Sequence, residues 1–428
     1  MRQRRLQTGF PSPISLAIKM NILDLTLTGM AYGGDAFGRD ADNRMIFVPF
    51  ALPGERVRVE TVEVHQRWAR ARLVEVIDVS PQRIAPRCRH FADCGGCHYQ
   101  HMPYSEQLRI KTEIVRSQLE RLGGFKDPPV EATVASPSPW HTRNNLQFSL
   151  TSDGRLGFMA ARSNHIVSIE ECYLPEPDLA DLWPRLDLEA IPGLDRVALR
   201  VGAGGARMII LHGKSEPEVE MVIDHPASVV WFSPVGTSVM AGDGFLPIEV
   251  LDRTFIVSAR SFFQVHTVLA GELVSRVLEA IDTRPGETVF DLYAGVGLFS
   301  AFLARTGAQL VAVEESPWAC ADFVENLDEF SDIELYEATV EIALSSIRSQ
   351  PDAVLVDPPR AGLSREALKL LINLAPPRLV YVSCDTATLA RDGQRLAKAG
   401  YHLERCTPID LFPQTYHIET LSVWQHQR

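Results

Sequence analysis

No apolar run in this chain approaches the roughly 20 residues of a membrane-spanning helix, so no membrane association is expected. The basic start Met1-Arg-Gln-Arg-Arg lacks the apolar core of a secretory signal, and Met20 offers an alternative start. Seven cysteines are an odd number for a disulfide framework, and without an export signal disulfides are disfavoured. The expectation is a cytoplasmic monomer. There is no internal repeat and no low-complexity tract. Positive charge is also short: 54 acidic against 42 basic residues give a net charge of −12, which argues mildly against a nucleic-acid binder.

That charge is unevenly spread. From Arg56 to Arg89 there are eight arginines, against Glu60, Glu63, Glu75 and Asp78. Such a stretch can be local positive surface for phosphate contacts or simply a solvated strand face. At 428 residues the chain is long for one core, so two or three domains are expected.

Residues 20–80 alternate apolar and polar positions, as in Arg56-Val-Arg-Val-Glu-Thr-Val-Glu-Val, with glycine and proline between the runs. This reads as a small antiparallel barrel of the oligonucleotide-binding kind. A helical stretch follows from Tyr104 to Leu122, then a mixed region over about 130–255 that carries no defensible catalytic motif. From about 270 strands and helices alternate, which predicts a parallel sheet covered on both faces. Asp291, Glu314 and Asp357 close its strands, placing three carboxylates at the carboxyl edge where open α/β sheets bind ligands.

Three motifs carry chemistry. Cys88, Cys94 and Cys97 stand in a C-x5-C-x2-C arrangement, with Cys172 alone in Glu-Glu-Cys-Tyr. Four soft thiolates suit zinc or an iron–sulfur cluster, and the cluster is the expectation. The Gly95-Gly96 turn is expected to let two thiolates converge without a Cβ clash. The turn after Asp291, Leu-Tyr-Ala-Gly295-Val-Gly297, lacks the third glycine of a dinucleotide fingerprint and any Gly-Lys-Ser/Thr. With Glu314 one strand later to accept ribose hydroxyls, it suits an adenosyl ligand without phosphates, namely S-adenosylmethionine. Cys384, in Tyr-Val-Ser-Cys-Asp, follows a strand at the same sheet edge. A thiolate there can add to carbon 6 of a pyrimidine and make carbon 5 nucleophilic, provided a base later removes the carbon-5 proton. From spacing alone, a buried inert cysteine is as good a reading.

Together these residues resemble the bacterial RNA uracil-5 methyltransferases, in particular the iron–sulfur branch that makes 5-methyluridine in 23S ribosomal RNA. Besides the motifs above, His141-Thr-Arg-Asn-Asn, Asp357-Pro-Pro-Arg-Ala-Gly and Asp410-Leu-Phe-Pro-Gln-Thr-Tyr-His-Ile-Glu419-Thr follow in family order. The resemblance implies a multidomain α/β protein. An N-terminal extension (1–19) precedes a TRAM barrel (20–80), a central α+β domain with a [4Fe–4S] cluster (81–260) and a Rossmann-like class I methyltransferase domain (261–428). It implies Cys384 as nucleophile and Glu419 as base. Gln264, Tyr293, Glu314 and Asp357 would line the cofactor pocket, and Cys88, Cys94, Cys97 and Cys172 would ligate the cluster. The implied partner is RNA, specifically 23S ribosomal RNA. His266, Leu298 and Thr339 depart from the family's usual residues. A non-catalytic RNA-binding or assembly factor, a transfer-RNA methyltransferase and an amino-group methyltransferase are the rival readings.

Overall fold

The computed structural model describes residues 21–186, 193–214, 226–234 and 236–426. The expected extension over 1–19 and the alternative start Met20 lie outside them. Contacts divide the chain into two units, residues 1–31 with 35–81, and residues 32–34 with 82–428.

The first unit is a closed barrel of β1 (Ile22–Met30), β2 (Ala36–Arg39), β3 (Met45–Val48), β4 (Arg56–Val64) and β5 (Trp68–Asp78), in order β1-β2-β3-β5-β4. The alternation expected from sequence sends Leu25, Leu27, Ile46, Val48, Val57 and Val59 inward as its core. Glu55 is buried, yet its carboxylate accepts from Leu52 N at 2.8 Å and closes the Leu-Pro-Gly-Glu turn. On the outer face the arginines meet acids: Arg58 pairs with Asp24 and Glu75, Arg70 with Glu63, and Arg72 with Glu60. That neutralises much of the positive stretch read from sequence. The same face carries a row of rings across β2, β3 and β5. Phe37 lies 6.5 Å from Phe47, Phe47 lies 6.3 Å from Trp68, and His65 stacks on Trp68 at 4.0 Å.

The second unit opens with α1 (Tyr104–Gln118), which widens into a π turn over Leu119–Gly123. A seven-stranded sheet follows: β6 (Asn145–Leu150), β7 (Leu156–Met159), β8 (Ile166–Ser168), β9 (Leu194–Val201), β10 (Arg207–Gly213), β11 (Ser228–Ser233) and β12 (Gly236–Ala241). The short helix α2 (Pro177–Leu182) packs its Leu179 and Leu182 into the core beneath this sheet. The hairpin β13 (Phe245–Val250) and β14 (Arg253–Ser258) leads to α3 (Thr267–Ile281).

The remaining chain forms the expected α/β sheet. Its strands are β15 (Thr288–Leu292), β16 (Gln309–Glu314), β17 (Ile333–Glu337), β18 (Ala353–Val356), β19 (Arg378–Ser383), β20 (Tyr401–Ile409) and β21 (Glu419–His426). Helices α4 (Leu298–Ala304), α5 (Pro317–Asn326), α6 (Val340–Ser346), α7 (Arg365–Leu374) and α8 (Thr386–Lys398) connect them. The order is β17-β16-β15-β18-β19-β21-β20, parallel from β17 to β19, with β21 antiparallel between β19 and β20. Its central strands are near-continuous apolar runs, such as Ala353-Val-Leu-Val in β18, all buried, whereas the edge strand β17 carries exposed glutamates. Among the described residues no helix is long and apolar enough to cross a membrane.

Candidate active site

The order reversal between β15, β16 and β18 opens a crevice at the carboxyl edge, and the chain fills it with polar groups. After β15 the turn is tight: Tyr293 adopts φ +67°, and its N–H and that of Ala294 both donate to the Val313 carbonyl, at 2.9 and 3.0 Å. Gly297, at φ +88°, must be glycine, since a Cβ there would stand 2.4 Å from Leu327. Gly295 is different: a Cβ on it would meet nothing within 4 Å, so its backbone faces open space. Its N–H donates to Glu314 Oε2 at 2.9 Å, and Ser316 N donates to Oε1 at 2.8 Å, which fixes the carboxylate beside that space. Backbone open to approach, next to an acid held in place, fits an adenosyl ligand.

Asp291 lies deeper. Ser300 Oγ donates to its Oδ2 at 2.6 Å, its Oδ1 has no partner, and burial raises the carboxyl to about 6. Burial, and then Asp291, push Asp357 up to about 7. Glu419 is buried as well, with Oε1 unpartnered; burial and then Asp357 hold it far above the usual carboxylate range, opposed by Arg360. Tyr293 stands half-buried on the turn. Gln264 is buried just ahead of α3, where its carbonyl accepts from Asn144 Nδ2 at 3.2 Å; among the described residues its side chain shares no hydrogen bond with the carboxylates.

Strand register sets the last pair. Antiparallel β19 and β21 place Ser383 opposite Thr420, so the next step along each strand brings Cys384 opposite Glu419. Burial, then Glu419 and Asp357, push the Cys384 thiol up to about 12, while Arg360 pulls it down. The thiol is half-buried, not sealed behind apolar neighbours. Arg360, in Asp357-Pro-Pro-Arg, is the cation of this group and had no role in the sequence reading; its motif was the available signal. The three departures all stand at helix starts. His266 caps α3, accepting from Leu269 N at 3.4 Å, and its Nε2 lies 2.7 Å from Ser136 Oγ. Thr339 caps α6 and Leu298 opens α4.

The four upstream cysteines are all free and line one cavity of about 310 Å³, with Arg143 in its wall. Among the described residues no group of three or more His, Cys, Asp or Glu is arranged to hold a metal ion. Burial raises all four thiols, Cys94 to about 11 and Cys97 to about 12. Gly95 is glycine for a reason other than the one expected: a Cβ there would stand 2.7 Å from the Met159 carbonyl, to which its N–H donates at 2.9 Å. The turn is thus pinned to β7, and Gly96 N donates to Cys94 Sγ at 3.3 Å.

Residues 245–427 match the family model described as tRNA (Uracil-5-)-methyltransferase, and residues 21–74 match the TRAM domain. A protein of Chlorobaculum tepidum described as an uncharacterized RNA methyltransferase is 31% identical, over 95% of this chain and 97% of its own. One of Halalkalibacterium halodurans, described likewise, is 32% identical over the same shares. Among solved structures, the Pyrococcus abyssi tRNA (uracil-54, C5)-methyltransferase in complex with S-adenosyl-L-homocysteine superposes with a TM-score of 0.73. It is 26% identical, and the match covers 94% of this chain and 100% of that one. The non-catalytic reading falls away: this chain belongs to the S-adenosylmethionine-dependent RNA uracil-5 methyltransferases that carry an N-terminal TRAM domain.

Proposed function

We propose that the enzyme forms 5-methyluridine in 23S ribosomal RNA through a covalent adduct between Cys384 and the uracil ring. The observation that carries the covalent step is the register setting Cys384 opposite Glu419 beside Asp357; the ribosomal target rests on the resemblance in sequence alone. S-Adenosylmethionine supplies an electrophilic methyl group, which Gln264, Tyr293, Glu314 and Asp357 would orient. Cys384, which is only half-buried, gives its proton to solvent and its sulfur bonds to carbon 6, sending the ring electrons toward oxygen 4. Carbon 5 then takes the methyl group, and the bonding pair of the broken sulfur–methyl bond stays on the sulfur, which leaves as the thioether S-adenosylhomocysteine. Glu419, whose burial makes it a strong base for a carboxylate, removes the carbon-5 proton as the sulfur–carbon bond breaks and the thiolate is restored. Arg360 offsets the negative charge that accumulates around the pair.

Cys88, Cys94, Cys97 and Cys172 would hold a [4Fe–4S] cluster. Support comes from the donor set alone: four free thiols, all soft ligands, around one cavity. No step above passes through it. The ring row on the barrel, with Arg70 over Trp68 at 5.3 Å, suits stacking of unpaired bases.

A transfer-RNA substrate is the second reading, favoured by the likeness to the Pyrococcus enzyme. Mass-spectrometric mapping of RNA from a deletion strain separates them. Loss of one 5-methyluridine from 23S RNA is expected; loss from transfer RNA alone would overturn the ribosomal assignment.

A further inference from the structure

Glu419 is the first residue of β21, so its position depends on the nine residues 410–418 that join it to β20. This linker contains no helix or strand, yet its midpoint is tightly held. Gln414 is 2% exposed and adopts φ +67°, a conformation that a residue with a Cβ holds only when its surroundings enforce it. Its carbonyl accepts from His98 N at 2.8 Å and Tyr99 N at 3.0 Å. Its own N–H donates to Gln107 Oε1 at 3.1 Å, and its Oε1 accepts from Gln107 Nε2 at 3.0 Å. Its Nε2 donates to the Pro139 carbonyl at 3.4 Å.

None of these partners belongs to the methyltransferase sheet. His98 and Tyr99 directly follow Cys97, and Gln107 lies on α1 and also donates to the Tyr99 and Met102 carbonyls, at 3.2 and 3.3 Å. Gln107 therefore grips the turn after Cys97 and the linker before Glu419 with one amide. A second grip comes from the same helix: Lys111 pairs with Asp410 and donates to the Phe412 carbonyl at 3.1 Å. The Tyr416 ring packs edge-on against His98 at 4.5 Å. The linker carrying the base is held from the cysteine side of the molecule.

We propose that Gln414, clamped by Gln107, is a positioning residue that couples the state of the four-cysteine centre to the placement of Glu419. The inference rests on the reading of Glu419 as base and of the four thiols as metal ligands. With the centre filled, Cys97 fixes the 98–102 turn, the turn fixes Gln414, and Glu419 reaches the carbon-5 proton. With the centre empty, Cys384 still adds to the ring and the methyl group still transfers, but the adduct resolves slowly. Misplacing a catalytic group by about an ångström costs roughly a hundredfold in rate, so the resolving step should slow by roughly tenfold to a hundredfold.

The test compares metal-loaded full-length enzyme, purified anaerobically, with the same protein stripped by chelator, and with the Gln107→Met and Gln414→Ala variants. Hydrogen exchange should speed up over 410–418 in the stripped protein while β15, β16 and β18 keep their protection. In single turnovers with RNA, both variants should bind cofactor normally and accumulate the methylated protein–RNA adduct. Stripping the Gln107→Met variant should add little, since both perturbations release one clamp. Additive slowing, or unchanged exchange over 410–418 on stripping, overturns the coupling. A loaded enzyme that holds no iron, or a wild type that forms no adduct, overturns the underlying reading and the coupling with it.

Discussion

Cys384 should be a slow thiol in the free enzyme. Burial, Glu419 and Asp357 raise it to about 12. At pH 7.5 an ordinary thiol of pKa about 8.5 is roughly one-tenth thiolate, against about 3 parts in 100,000 for one of pKa about 12. The more basic thiolate is the better nucleophile, and a Brønsted slope of about 0.45 returns roughly 40-fold of that roughly 3,000-fold deficit. Iodoacetamide should therefore alkylate Cys384 roughly 80-fold more slowly than an open thiol, with a rate still climbing at the highest pH the fold tolerates. Glu419→Gln replaces a carboxyl that raises the thiol with a neutral amide, so the thiol should fall and react faster at pH 7.5. Timed quenching and peptide mass spectrometry report Cys384 separately from the six other cysteines. An inflection at or below pH 8.5, or slower alkylation of the Glu419→Gln variant, would refute the electrostatic account. If the profile holds, the nucleophile is armed only as the ring enters the site.

Three further outcomes follow from the same geometry. Asp357 binds its proton more tightly folded than unfolded, so its contribution to stability is present below about pH 4 and is lost as pH rises through about 7. Asp357→Asn should match wild type below pH 4 and be more stable by about 1–3 kcal/mol at pH 8 in urea denaturation; a less stable variant at pH 8 contradicts the sign. The Lys111–Asp410 pair has no exposed side-chain surface, and Lys111→Met should cost about 3–5 kcal/mol by stranding the carboxylate. Adding Asp410→Leu should recover much of that loss, and no recovery would show that the lysine acts through packing. On the proposal of a cluster, anaerobically purified protein should be brown and Cys94→Ser should bleach it; retained colour would remove that residue from the proposed ligand set.

The barrel and the parallel sheet were legible because burial imposes period-two alternation on β1 to β5 and apolar runs on β15, β16, β18 and β19, whereas the half-exposed edge strand β17 gave no such run. The carboxylates at the strand ends were legible for the same reason, since chain order alone puts Asp291, Glu314 and Asp357 at one edge. Pairing across the sheet was not. Nothing in the linear order announces that β21 inserts antiparallel beside β19, which is what brings Glu419 to Cys384; the proposed base was reached only through its resemblance to a known motif. The arginines of β4 and β5 were legible as charge, but not as charge already met by Asp24, Glu60, Glu63 and Glu75. Gly95 drew the right attention for the wrong reason, because the carbonyl that crowds it belongs to a strand more than sixty residues away. Gln107 carries no sequence signal, and Gln414 stands in a quoted motif without a role of its own: an amide becomes a clamp only through the backbone groups the fold brings to it.

The most direct test of the central claim uses RNA carrying 5-fluorouridine at the target, incubated with enzyme and S-adenosylmethionine, because fluorine at carbon 5 cannot leave as a proton does. A methylated protein–RNA adduct that survives denaturation should form, map to Cys384 by mass spectrometry, and be absent from the Cys384→Ala variant. Formation of 5-methyluridine by Cys384→Ala on unmodified RNA would contradict the account.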